Sequence, residues 1–81
     1  MTTEQIYAEL TRILREVFQN EDLVITPTTT ADDVKGWDSV MHVNVMLAIE
    51  MELHVVFNTS EIDEMRTVGE LVDAIERKLA K

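Results

Sequence analysis

The first and last segments of the chain carry apolar residues at three- and four-residue steps, which is the spacing of one helix face. In the first segment, from about Thr3 to Phe18, these residues are Ile6, Leu10, Ile13, Leu14 and Val17. In the last segment they are Val68, Leu71, Val72, Ile75 and Leu79. Each segment therefore predicts an amphipathic helix with one buried face.

Both predicted helices have polar signals at their ends. A capping box, in which two side chains bond to each other's backbone amides, needs suitable polar residues three positions apart. The pairs that fit are Thr2 with Gln5 and Thr67 with Glu70. Positive charge is favoured at the other end of a helix dipole, and the cations there are Arg77, Lys78 and Lys81.

The segment from Val40 to Leu53 carries two apolar stripes instead of one. On a wheel of 3.6 residues per turn, the expected core face consists of Val45, Met46, Ile49 and Leu53. The second stripe consists of Val40, Val43, Leu47 and Met51. One helix of a small domain cannot readily bury both stripes, so we expect the second to be exposed as a docking surface for other proteins. The alternatives are that a loop covers it or that the domain dimerises through it.

Two further segments connect these helices. Between Leu53 and Arg66 we predict a short helix over Ser60 to Met65, although His54 to Phe57 could instead form a short strand. The connection from Asn20 to Asp38 is longer than most loops in compact domains. Apolar residues within it predict an ordered loop packed onto the helices, and they are Ile25, Pro27, Val34 and Trp37.

The sequence Gly36-Trp37-Asp38-Ser39-Val40 lies where that loop meets the apolar segment from Val40 to Leu53. Asp38 or Ser39 can cap the helix, and Gly36 gives the loop freedom to turn. The free amides and the positive end of the helix dipole favour a phosphate on the serine hydroxyl. The junction thus predicts a site for a phosphodiester at Ser39, while the simpler alternative is an Asp-Ser helix cap.

Composition limits the remaining choices. The 81 residues, at a formal net charge of −9, predict a single domain over residues 1–81 that repels nucleic acid and anionic membranes. The chain has no cysteine, so it has neither a disulfide nor a thiolate metal site. Its apolar runs are too short to span a bilayer and its start lacks the features of a signal peptide, so we expect a cytoplasmic protein.

Other chemistries fit the sequence less well. Ser39, His42 and Asp38 suggest hydrolysis, but a small bundle offers neither a substrate pocket nor an oxyanion hole. His42 is therefore expected to be a partly buried packing residue, or one that affects the exit of a group attached at Ser39. The acidic pairs Glu21-Asp22 and Asp32-Asp33 lack the spacing of a calcium loop, so we predict no metal site.

The chain resembles the acyl carrier protein family over nearly its whole length. The family signature Gly-x-Asp-Ser-Leu is present as Gly36-Trp37-Asp38-Ser39-Val40, with valine in place of leucine. The resemblance implies an all-α four-helix bundle with a long first loop and a short third helix. It also implies that a phosphopantetheinyl transferase attaches 4'-phosphopantetheine to Ser39, with Asp38 supporting the helix start.

The same resemblance implies the partners and the mode of action. Acyl groups would be carried as thioesters on the arm, and the protein would need no catalytic residues of its own. The partners would be acyltransferases, ligases or synthases of fatty acid, polyketide or related biosynthesis, and the protein would act as a monomer. The expected docking residues are Val40, Val43, Leu47, Met51 and Glu50.

Three departures from the family pattern bear on the pathway. Met41 and Asn44 occupy positions where members serving fatty acid synthesis carry acidic residues, and Met51 separates Glu50 from Glu52. We therefore favour a specialised pathway such as polyketide, aminoacyl or modified lipid assembly. Two alternatives stay open from the sequence, namely an aminoacyl or peptidyl carrier for nonribosomal assembly and an unmodified helical interaction module.

Overall fold

Residues 1–80 contain four α-helices, as the sequence predicted. The computed structural model describes residues 1–80, so Lys81, which was assigned to the cations at the end of the last helix, lies outside the described residues. The helices are α1 (Thr3–Phe18), α2 (Ser39–Leu53), α3 (Thr59–Glu64) and α4 (Val68–Leu79), with a 3-10 turn at Ala31–Asp33. Helix α1 packs against both α2 and α4. Within residues 1–80, no helix has the length and apolar character needed to cross a membrane.

Helix α1 begins and buries its side chains as predicted. The Thr2 hydroxyl accepts a hydrogen bond from the Gln5 amide at 3.1 Å, and the Gln5 side chain accepts one from the Thr2 amide at 2.8 Å. This reciprocal capping box is confirmed. The fully buried residues of the helix are Ile6, Leu10, Ile13 and Leu14.

The predicted capping box of α4 is only half formed. The Thr67 hydroxyl caps the helix by accepting from the Glu70 amide at 3.2 Å. The Glu70 carboxylate, however, accepts from the Arg66 amide at 2.7 Å and not from Thr67. A glutamate side chain is long enough to reach one residue beyond the cap, so the spacing alone did not fix its partner. The buried face of α4 contains Val68, Leu71, Val72, Ala74 and Ile75.

The long first loop is ordered, but not through all the residues that the sequence indicated. Val34 is buried and Ile25 and Trp37 are partly buried against the core, as predicted. Pro27 is exposed, so the prediction of a packed ring is wrong there. Its carbonyl instead accepts from the Gly69 amide at 2.9 Å, which fixes the loop to the start of α4. Leu23, which the residue pattern did not indicate, is also buried.

The loop also joins α4 through a short backbone bridge. Thr30 and Thr67 form an isolated antiparallel bridge, and the Val68 amide donates to the Thr29 carbonyl at 2.8 Å. The Arg15 guanidinium donates to the Leu23 carbonyl at 2.8 Å and anchors the other end of the loop on α1. Two helices therefore hold the segment that leads to Ser39.

The rotation of α2 agrees with the prediction from its two stripes. The buried residues are Val45, Met46, Ile49 and Leu53. The second stripe, called the α2 strip from here on, is exposed by 71% at Val40, 49% at Val43, 51% at Leu47 and 77% at Met51. The first loop does not cover the α2 strip, so that alternative is excluded.

The connection after α2 contains a helix but not a strand. His54 has a φ of 56° and ends α2 in the left-handed conformation. Val55 and Phe57 are buried and Val56 is exposed, yet residues 54–57 form no strand. The extended segment therefore inserts alternate side chains into the core without pairing. Helix α3 begins one residue earlier than predicted, and Ile62 and Met65 are packed against the core.

Candidate functional site

Ser39 is the first residue of α2, and Asp38 caps the helix. The Asp38 carboxylate accepts a hydrogen bond from the Met41 amide at 2.8 Å. The sequence did not decide whether Asp38 or Ser39 caps the helix. In the structure the cap is Asp38. Ser39 is exposed, and its hydroxyl is not needed to cap the helix.

Gly36 shapes the turn that delivers Ser39 to the helix start. Its φ of 90° lies in a region that side chains with a Cβ rarely adopt. The Asp38 amide donates to the Gly36 carbonyl at 3.1 Å, so the chain folds back tightly just before the cap. The glycine that the sequence marked as a turn is therefore required by the backbone conformation.

His42 is held from both sides by hydrogen bonds. The Trp37 indole N–H donates to His42 Nδ1 at 3.1 Å, and His42 Nε2 lies 3.0 Å from the Ile62 carbonyl oxygen. Because Nδ1 accepts, the proton of the neutral ring is on Nε2, which donates to that carbonyl. We call these two hydrogen bonds the Trp37–His42–Ile62 contacts.

These hydrogen bonds argue against a role for His42 in hydrolysis at Ser39. Both ring nitrogens are engaged away from Ser39, so His42 is not placed to take the serine proton. The residue is partly buried, as predicted for a packing residue. The partners of His42 were not predicted, although an indole N–H donor lies five residues before it, across the helix start.

Aromatic packing extends the same arrangement to α1. The rings of Phe18 and Trp37 lie 5.5 Å apart between centroids, and those of Trp37 and His42 lie 6.0 Å apart. Phe18 ends α1, Trp37 belongs to the loop, His42 to α2 and Ile62 to α3. The start of α2 is thereby connected to three other parts of the fold.

The acidic residues near the far end of α2 are engaged within the fold. The Glu50 carboxylate, expected to flank the α2 strip, accepts from the Phe57 amide at 2.8 Å. Glu52 lies 3.3 Å from the guanidinium of Arg12. Both carboxylates thus have partners within the fold, and the α2 strip beside them consists of apolar side chains.

Helix α3 is positioned by charge. The Glu61 carboxylate accepts from the Asn58 amide at 3.0 Å and from the Lys78 ammonium at 2.9 Å. The Asn58 hydrogen bond first, and then Lys78, lower the pKa of Glu61 below its ordinary value of 4.5. These contacts connect α3, which carries Ile62, to the end of α4.

The arrangement at Ser39 is compatible with a phosphate ester. Ser39 is exposed, Asp38 provides the helix cap, and the positive end of the α2 dipole lies at the Ser39 end of the helix. No group of three or more metal-ligating side chains is found in residues 1–80. The residues present therefore fit a covalently attached phosphate group.

Comparisons with known proteins match most of the chain. The family model described as "Phosphopantetheine attachment site" matches residues 8–75. The acyl carrier protein of Thermotoga maritima is 28% identical over 76 residues, covering 94% of each chain. The acyl carrier protein of Coprothermobacter proteolyticus is 29% identical over 79 residues, covering 98% of this chain and 96% of that protein.

Solved structures agree with these relatives. The holo acyl carrier protein of Geobacter metallireducens superposes with a TM-score of 0.87 at 35% identity, covering 93% of this chain and 86% of that one. The Thermotoga maritima acyl carrier protein superposes with a TM-score of 0.84 at 22% identity, covering 96% and 91%, and supports the fold alone. This chain therefore belongs to the family of phosphopantetheine-binding acyl carrier proteins, and it carries acyl groups on a covalently attached 4'-phosphopantetheine.

Proposed function

We propose that Ser39 is the residue to which the 4'-phosphopantetheine is attached. The observation that carries this proposal is an exposed serine at the first position of α2, with Asp38 as the cap. When bound, the cofactor supplies a terminal thiol that holds acyl groups as thioesters. Ser39 provides the ester oxygen, and Asp38 keeps the helix start ordered around it.

The remaining residues present the site and take no part in bond breaking. His42 is fixed by Trp37 and Ile62, so it is not placed to act as a general base on Ser39. We infer that the protein is a carrier and not an enzyme, and that a phosphopantetheinyl transferase supplies the chemistry of attachment. The cytoplasmic location and the monomeric state stay predictions from the sequence.

Intact-mass measurement tests the attachment residue. The apo protein, incubated with coenzyme A and a broad-specificity transferase, should gain one phosphopantetheinyl group. Ser39→Ala should gain none and should keep the helical circular dichroism of the wild type. Ser60→Ala is the matched control, because Ser60 is also an exposed serine in the first turn of a helix, and it should be modified fully.

Two results would contradict the assignment of Ser39. Addition to Ser39→Ala would place the arm on another residue. No addition to the folded wild-type protein would instead favour the unmodified interaction module.

We further propose that the α2 strip contacts the pathway enzymes that act on the cargo. Its four apolar side chains are exposed on the helix that begins at Ser39, so an enzyme bound there also lies near the arm. Such partners are acyltransferases, ligases or synthases, and a small apolar contact suits a transient complex. Glu50 is the member of the predicted docking set with a partner inside the fold.

The pathway is inferred from the same surface. Met41 and Asn44 provide no charge near Ser39 with which to meet a basic partner. Met51 continues the apolar α2 strip where Glu50 and Glu52 are engaged by Phe57 and Arg12. We therefore propose a specialised pathway, with aminoacyl or peptidyl cargo included, in preference to general fatty acid synthesis.

A further inference from the structure

His42 joins the segment that leads to Ser39 with helix α3. Its Nδ1 accepts from the Trp37 indole N–H at 3.1 Å, and its Nε2 donates to the Ile62 carbonyl at 3.0 Å. Trp37 lies two residues before Ser39, and Ile62 lies within α3. A single imidazole ring therefore connects the loop, α2 and α3 beside the attachment residue.

Only the neutral ring can make both of these hydrogen bonds. The indole nitrogen of Trp37 donates and cannot accept, so Nδ1 of His42 must carry a lone pair. A protonated histidine has an N–H on both nitrogens. The bond to Ile62 survives protonation, but the Trp37 N–H then faces another N–H. Because Trp37 is partly buried and a buried donor without a partner is unfavourable, the indole must turn away.

Charges of both signs surround His42. The charged side chains that line a surface depression with it are Asp32 in the 3-10 turn, Asp38 at the start of α2, Asp63 in α3 and Arg66 after α3. Helix α4 contributes the apolar residues Val68 and Leu71 to a cavity wall that His42 also lines. The carboxylates favour a positive ring, whereas Arg66 and the positive end of the α2 dipole oppose it.

We propose, on the basis of the proposed attachment at Ser39, that His42 is a positioning residue that responds to protons. Its neutral ring holds Trp37 and thereby keeps Ser39 where a transferase can modify it, and its protonated ring releases Trp37. Histidine is the side chain that ordinarily changes charge between about pH 5 and 8. Attachment of the arm should therefore slow in mild acid while the helices stay folded.

The reaction that should slow is the transfer of the arm. The Ser39 oxygen bonds to the phosphorus of the pantetheine arm, the adenosine bisphosphate of coenzyme A leaves, and the serine proton passes to the transferase. His42 takes no part in these bonds and acts only through Trp37.

The tryptophan itself reports its release. The chain contains one tryptophan, so isotope-labelled apo protein gives a single indole N–H signal in its nuclear magnetic resonance spectrum. In the wild type, this proton signal should move upfield as the pH falls from about 8 to about 5, because the hydrogen bond to His42 is lost. The midpoint of the movement should coincide with that of the His42 ring signals.

Two variants separate the charge of His42 from its hydrogen bonds. In His42→Gln, the amide can accept from Trp37 and donate to Ile62 but does not titrate, so the indole signal should not depend on pH. His54→Asn is the matched control, because His54 is the other histidine and is exposed at the far end of α2. Its left-handed φ of 56° suits asparagine, and the indole signal should move as in the wild type.

Loading rates connect the release of Trp37 to Ser39. Apo wild type and His42→Gln are incubated with coenzyme A and the same broad-specificity transferase across this pH range, and the gain in mass is followed over time. The rate of the wild type relative to His42→Gln should be near unity at the alkaline end and fall several-fold at the acid end. The enzyme's own pH dependence cancels in this ratio, and a purely structural role of His42 would leave the ratio constant.

Three results would contradict the proposal or its basis. An indole signal that stays in place over this range would overturn the proposal, and that measurement needs only the wild-type protein. A constant ratio of loading rates would overturn the effect on Ser39. Wild-type protein that gains no mass at any pH would overturn the attachment at Ser39, while the indole titration would still decide whether His42 releases Trp37.

Discussion

Single residues in this protein act through the backbone groups that they hold. Asp38 accepts from Met41 and thereby caps α2, and Glu50 accepts from Phe57 and fixes the chain that leaves α2. His42 joins Trp37 to the Ile62 carbonyl. The helix that begins at Ser39 is therefore fixed at both ends by polar contacts, while its apolar face secures it to the core.

Gly69 illustrates the same dependence, and its substitution should destabilise the protein. A Cβ at this position would lie 2.8 Å from the Pro27 carbonyl oxygen, which accepts from the Gly69 amide. Overpacking costs about 1–3 kcal/mol, and the gain in helix propensity of about 0.8–1 kcal/mol offsets part of it, so we expect Gly69→Ala to lower the free energy of unfolding by up to about 2 kcal/mol. Urea denaturation measures the change.

Asp73→Ala is the control for Gly69→Ala, because Asp73 is an exposed residue of the same helix. It should change the unfolding free energy by no more than about 0.5 kcal/mol. A Gly69→Ala protein as stable as the wild type would mean that the Pro27 carbonyl yields without loss.

At the scale of elements, α2 differs from the other long helices because it is apolar on two sides. Helices α1 and α4 each bury one apolar face and expose a polar one. Helix α2 buries one apolar face and leaves the α2 strip in solvent. An exposed apolar patch costs solubility, so its presence next to Ser39 supports a role in contacts with other proteins.

The two faces of α2 should respond differently to substitution. Ile49→Ala removes a fully buried side chain and should cost about 2–5 kcal/mol of unfolding free energy. Leu47→Ser changes a half-exposed side chain and should cost about 0.5 kcal/mol or less. Chemical denaturation compares the two variants.

Substitutions in the α2 strip also test the docking proposal. Leu47→Ser should slow loading or transfer of cargo by partner enzymes while the fold is kept, with Val43→Ser as a second variant. If Leu47→Ser unfolds the protein while Ile49→Ala stays stable, the assignment of the two helix faces is contradicted. If both strip variants keep the normal transfer rate, the docking surface lies elsewhere.

Helix α3 is expected to lose support in acid. The pKa of Glu61 is lowered in the folded protein, chiefly by the Asn58 amide and then by Lys78. A lowered pKa means that the charged form stabilises the fold, so this contribution is complete above the ordinary value of 4.5 and is lost as the pH falls through the lower folded value.

Glu61→Gln isolates that contribution, because the amide oxygen can still accept from Asn58 but carries no charge. The difference in melting temperature between the wild type and this variant should be largest near neutral pH and should disappear in acid. Glu64→Gln, on an exposed residue of α3, should show no such trend. A difference that does not vary with pH would show that the charge of Glu61 contributes nothing.

The whole molecule carries many more acidic than basic groups. Sixteen aspartates and glutamates face seven lysines and arginines in the sequence. The guanidinium of Arg12 is shared by Glu9, Glu16 and Glu52, whose oxygens lie 2.9–3.3 Å from it. The pKa of Arg12 is raised by these hydrogen bonds, first by Glu9 and then by Glu52. Most other carboxylates repel one another across a small surface.

Salt should therefore stabilise the protein at neutral pH. Screening of the repulsion raises the free energy of unfolding, and calcium or magnesium should do so further by loosely bridging carboxylates. Thermal melts in increasing sodium chloride, compared at equal ionic strength with magnesium chloride, measure both effects. A melting temperature that does not depend on salt would show that repulsion does not limit the stability.

The helices, the orientation of α2 and the candidate serine could be predicted from the residues alone. Those features depend on local spacing: the apolar period, the polar residues at helix ends, and the signature from Gly36 to Val40. The contacts between residues distant in the sequence became known only from the folded structure. Folding brought the Pro27 carbonyl to Gly69 and the Ile62 carbonyl to His42, and it engaged Glu50 with Phe57. Nearly every residue offers both a backbone carbonyl and a backbone N–H, so no local residue pattern indicates which of them a residue distant in the sequence will reach.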